Sequence, residues 1–166
     1  MENNSSTWLN AHGQIEINYD ADKNNKFKMT RLSKIFCGIT LLSIPAIIYG
    51  GYFLLTILTG QSNAELTEFQ KSMFKAGHGH AGLLVILSLV AQILIDHAIF
   101  SKNWKLIIRI GFPLSAVLVS GGFFAAAIGT NVTSPNNLIA ILYVGVIFLL
   151  ISLVILGIGL IRKEKP

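Results

Sequence analysis

The residues best equipped for chemistry stand together in one short stretch, Gly77-His78-Gly79-His80 within Lys75–Leu84, "KAGHGHAGLL". Imidazole is the commonest side-chain ligand of transition metals and suits zinc, copper and iron alike. Residues two apart on a regular helix diverge by about 200 degrees, so these rings meet at one ion or cofactor only where the backbone is irregular. Glycines at 77 and 79 permit that irregularity. If the helix instead begins before His78, one ring turns to the interior and the other away, and at most one is a ligand.

Two imidazoles do not complete a metal site. Candidates for the remaining positions at the same depth are Met73 and Glu68 just upstream, Tyr49 and Tyr52 in the preceding apolar run, and Tyr143 near the start of the last one, with Thr130 and Asn131 between. The candidate metal set is therefore His78, His80 and Met73, and the candidate cofactor set is His78, His80, Tyr49, Tyr52 and Tyr143, with copper, zinc or heme as the groups to be held. His97 is about 25 Å from His80 at 1.5 Å per residue and joins neither set.

The surroundings are apolar. The chain has 166 residues, 52% hydrophobic and 13% charged, with a mean hydropathy of +0.62. A lipid core of about 30 Å is crossed by roughly 20 apolar residues in a helix. Four stretches meet that length: Ile35 to Leu58, Ala81 to Phe100, Leu106 to Ile128 and Leu138 to Ile161. The expected fold is an all-α membrane bundle of four helices, residues 34–166, preceded by a polar arm over residues 1–33 that is a tail or surface-bound segment. The first apolar run exceeds the roughly 7–15 residues of a signal-peptide core and lacks a cleavage site after it, so it is expected to remain in the protein.

Lys23, Lys26, Lys28, Arg31, Lys34, Lys102, Lys105, Arg109, Arg162, Lys163 and Lys165 fall on one face of such a bundle, eleven of the thirteen basic residues. By the positive-inside bias both termini face the cytoplasm, here of a bacterial cytoplasmic membrane. The net charge of +5 then reflects the lipid surface rather than nucleic acid.

Between the first two spans, Ser62-Asn63-Ala64-Glu65 has the form of a capping box. Leu66, Phe69 and Met73 follow at helical spacing, which predicts a short amphipathic helix on the outer membrane surface. Pro45 and Gly50-Gly51 predict a kinked or irregular outer half of the first span. Gly121, Ala125 and Gly129, four apart, predict a close-packing face on the third. Ser88, Gln92 and Asp96 form a polar stripe on the second, with Ser88 and Gln92 expected to hydrogen-bond a neighbouring helix and Asp96 to pair with Lys102 or Lys105 at the interface. Cys37 stands alone and can form no intrachain disulfide.

The stretch "FKAGHGHAGLLVILSLVAQILID" resembles the second helix of small bacterial four-helix membrane proteins with a G-H-x-H-A-G motif. It is more distantly similar to the His-x-His helix starts of proteins related to heme–copper oxidases. The resemblance covers about a seventh of the chain and implies metal or heme ligation by His78 and His80, in the handling of respiratory cofactors. The histidines that the oxidase-related proteins carry on other helices are absent from this sequence.

No phosphate-binding loop, GxSxG or HExxH motif occurs. The sequence therefore points to a binding protein rather than an enzyme. The alternatives are a non-catalytic subunit of a larger membrane complex or homo-oligomer, and a small transporter.

Overall fold

A computed structural model of the chain describes residues 7–9, 15–17 and 29–162. The chain divides into two units, Met1–Thr30 and Arg31–Pro166. In the first, strands β1 (Thr7–Leu9) and β2 (Ile15–Ile17) pair antiparallel, with Thr7 opposite Ile17, Trp8 opposite Glu16 and Leu9 opposite Ile15. Most of this arm, expected from its sequence to be a tail or surface-bound segment, lies outside the described residues.

The second unit contains α1 (Arg31–Leu58), α2 (Glu68–His97), α3 (Lys102–Ala126) and α4 (Ile139–Ile161). All four are long and apolar enough to cross a bilayer, and the protein is a multi-pass integral membrane protein. The helical ladder of α1 begins at Arg31, one turn before the apolar run that starts at Ile35. α1 is one continuous helix through Pro45 and the glycine pair, without a break in its outer half.

Successive helices are antiparallel neighbours: α1 packs chiefly on α2, α2 on α3, and α3 on α4. One end of the bundle carries Arg31, Lys34, Lys102, Lys105 and Arg162 and is called the basic end; the other carries His78 and His80. Ile95, Ile108 and Phe112 are essentially inaccessible, and with Ala91, Ala98 and Leu156 form the core near the basic end. Leu84, Ala116 and Val119 form a second cluster nearer the histidines.

Close approach of α3 and α4 depends on Gly122 and Gly145. A Cβ on Gly122 would lie 2.5 Å from the backbone nitrogen of Leu142, and one on Gly145 2.7 Å from that of Val119. The expected face of Gly121, Ala125 and Gly129 is thus displaced by one position. Gly121 is exposed with open space around it, since one residue turns the helix by about 100 degrees and brings Gly122 to the neighbour instead.

The amphipathic stretch before the histidines is not a separate surface helix. Its residues from Glu68 onward form the first turns of α2. The cap is Thr67 rather than Ser62: its hydroxyl accepts from the Gln70 backbone, while the Gln70 side chain accepts from the Thr67 backbone. Both sites match a capping-box pattern, but only Thr67 lies directly before an uninterrupted apolar helix. The Thr67 hydroxyl also donates to the Val132 carbonyl.

Gln70 does more than cap. Its amide nitrogen donates to the carbonyls of Ala127 (3.0 Å) and Gly129 (2.8 Å), just past the end of α3. Asn136 serves Ala125 through its side chain and Ala126 through its backbone, both at 3.0 Å. Carbonyls that a helix end leaves open are thereby paired within the protein, as apolar surroundings require.

Candidate functional site

Continuity of α2 decides how the two histidines stand. Gly77 and Gly79 lie inside a regular helix, so the rings diverge as helical geometry dictates and do not converge on a shared point. His78 turns to α1. Its Nε2 and Cε1 lie 2.7 and 2.8 Å from where a Gly51 Cβ would stand, so the ring occupies space that only glycine leaves open. His80 is exposed; its Nδ1 is 2.8 Å from the Ala76 carbonyl one turn earlier, a contact that requires the proton on Nδ1. The His80 ring packs on Phe123, centroids 4.9 Å apart.

His78 lines a cavity of about 410 Å³ walled by α1, α2 and α3 and partly open at its side. Thr40, Ser43, Ser88 and Ser120 supply its hydroxyls, and Ile39, Ile47 and Val85 are among its apolar walls. No lysine, arginine, aspartate or glutamate lines it. Thr40, Ser43 and Ser88 each donate to a carbonyl of their own helix, at 2.8, 2.7 and 2.7 Å. The bond expected from Ser88 to a neighbouring helix is therefore replaced by one to Leu84. Ser120 differs: its Oγ is buried and has no hydrogen-bond partner among the described residues. An unmade hydrogen bond of a buried hydroxyl costs about 1–3 kcal/mol.

The other residues singled out by sequence stand apart from this cavity. Tyr49, Tyr52 and Tyr143 are 60–70% exposed and do not line it. Met73 is half-buried one turn before Gly77, and Glu68 pairs with Lys71 at 2.9 Å. Asn131 holds a left-handed backbone, φ 55°, in the loop after α3. Among the described residues, no three of His, Cys, Asp and Glu are placed to hold one metal ion.

A second polar cluster lies near the basic end. Arg109 donates from Nη2 to Asp96 (2.6 Å), and from Nη1 to Gln92 (3.1 Å) and to Ser33. Ser33 lies 2.6 Å from the second Asp96 oxygen, and Gln92 donates to the Arg109 carbonyl at 2.9 Å. This corrects two expectations. Arg109 is buried rather than at the membrane surface, and Asp96 pairs with it; Lys105 reaches only the Asp96 backbone carbonyl, at 3.2 Å. The cause is register, since Arg109 lies two turns into α3 and faces α2, whereas Lys102 and Lys105 occupy its first turn. Gln92 does bond a neighbouring helix, as expected. The cluster ties α1, α2 and α3 together through mutually satisfied groups.

Sequence reasoning missed Ser120, Gln70 and Arg109. A hydroxyl within "LVSGGFF" and a cation three residues past the start of an apolar run were the available signals. Comparison with protein-family models, curated proteins and solved structures gave no match.

Proposed function

We propose that this membrane protein binds a lipid-soluble ligand within the bilayer, in the cavity between α1, α2 and α3, with His78 as its polar anchor. The observation that carries the reading is the His78 ring seated against Gly51 at the wall of an otherwise largely apolar chamber. Of the metal-bearing groups the sequence suggests, heme is the one compatible with a single protein imidazole, because the porphyrin brings four nitrogens of its own. Copper or zinc alone needs two or three further protein donors. His80 faces away and serves the outer surface. In the orientation inferred from basic residues, the ligand enters from the outer half of a bacterial cytoplasmic membrane, which accords with a part in respiratory cofactor handling.

The test is purification in mild detergent, followed by visible absorption, metal analysis and mass analysis of solvent-extracted compounds, for the wild type, His78→Ala and His80→Ala. Bound material retained by His80→Ala and lost from His78→Ala is the expected result. Equal retention by both variants refutes the assignment.

A further inference from the structure

We infer that the ligand is a neutral, lipid-soluble molecule bearing a carbonyl or hydroxyl oxygen, held jointly by His78 and the Ser120 hydroxyl. The inference rests on the cavity reading just given and specifies the chemistry the cavity selects.

Ser120 carries the first part of the argument. It is 7% exposed and lines the cavity, yet its Oγ meets no partner among the described residues, while the three other hydroxyls there bond their own helices. A buried group in apolar surroundings is ordinarily paired, so an orphan beside a chamber marks where a ligand atom completes the bond. A hydroxyl can donate to a ligand oxygen or accept from one, and imidazole can do the same.

Depth supplies the second part. Gly77 faces Phe123 and Phe124, and Leu84 packs with Ala116, so the antiparallel pairing of α2 and α3 sets Ser120 level with about His80. That is two residues deeper than His78, or about 3 Å along the bundle. Two polar contacts at nearly the same depth suit an oxygen-bearing head with an apolar body against Ile39, Ile47 and Val85.

Charge supplies the third. With no ionisable acid or base other than His78 on the lining, a phosphate or carboxylate inside the cavity would be buried without a counter-ion, which apolar surroundings strongly disfavour. The same chemistry is offered by a quinone ring and by the ester carbonyls of a neutral acylglycerol, and probes separate these sources.

The experiment measures equilibrium binding of 2-decyl-1,4-benzoquinone, dioctanoylglycerol and the oxygen-free dodecylbenzene to the full chain in detergent. Variants are Ser120→Ala, Ser120→Thr, His78→Ala, His78→Gln and His80→Ala, each checked for a monodisperse, helical state. At least one oxygen-bearing probe should bind, and which one identifies the source. Ser120→Ala should weaken it about 2–10-fold, the worth of one hydrogen bond. Ser120→Thr and His78→Gln, which keep a polar group, should recover much of the loss, and His80→Ala and dodecylbenzene should be indifferent. A bound species that depends on His78 but is unmoved by Ser120→Ala, such as a heme spectrum, overturns this ligand class and leaves the cavity reading standing. Binding that is indifferent to His78 for every probe and every copurified compound overturns both.

Discussion

The Arg109 guanidinium lies 2.6 Å from the Asp96 carboxylate, with side chains 3% and 7% exposed, so α2 and α3 are joined by an ion pair inside the bundle. Removing one partner leaves the other charge buried. Asp96→Asn or Arg109→Met alone should destabilise the protein by about 3–5 kcal/mol, whereas Asp96→Leu with Arg109→Met together should cost markedly less than the sum. A double-mutant cycle of unfolding in mixed micelles measures this; additive losses would show that the two groups are not coupled.

The α3–α4 contact makes a prediction that separates adjacent glycines. Gly122→Ala should cost about 1–3 kcal/mol, because its methyl would meet the Leu142 backbone rather than a movable side chain. Gly121→Ala, with no atom within 4 Å of its Cβ position, should lie within about 0.5 kcal/mol of wild type. Thermal unfolding in detergent reads both, and a reversed order would place the packing face on the other glycine.

That contrast shows where the sequence was legible. Spacing of small residues signals that a close contact exists on α3, but its register depends on where α4 sits, which only tertiary packing fixes. The four spans were legible for a different reason: length and apolarity alone decide whether a segment suits lipid. Helical divergence of His78 and His80 was legible only as one of two outcomes, since glycine tolerates both a helix and a break. The unbroken course of α2 from Glu68 to His97 gives the helix. Arg109 was misplaced because a basic residue near the end of an apolar run looks like a loop charge until its acidic partner on α2 is known.

The Gln70 side chain bonds three residues, Thr67, Ala127 and Gly129, and its substitutions separate them. Gln70→Glu keeps the acceptor for the Thr67 backbone but loses the donor to Ala127 and Gly129. Gln70→Ala loses all three. Each should destabilise by about 1–3 kcal/mol through the unpaired carbonyls. Hydrogen exchange should rise at the start of α2 in Gln70→Ala more than in Gln70→Glu. Equal exchange in the two would remove the cap from this account.

Gly51→Ala tests the seat of His78 without touching the imidazole itself. Its Cβ would stand 2.7 Å from Nε2, so the ring must rotate away. Ligand retention should fall about 3–10-fold while stability changes little, because the ring is the movable end of a side chain. Gly38→Ala, also on α1 with an open Cβ position but away from the cavity lining, should be far milder in the same binding assay.

The Ser33 tie has a consequence for the order in which the molecule is made. Ser33 is synthesised 76 residues before Arg109, and 59 before Gln92, whose carbonyl it reaches at 3.2 Å. α1 therefore leaves the ribosome before either of these two partners has been made. The wall that α1 gives the chamber can meet its counterparts only once the second and third spans have been made.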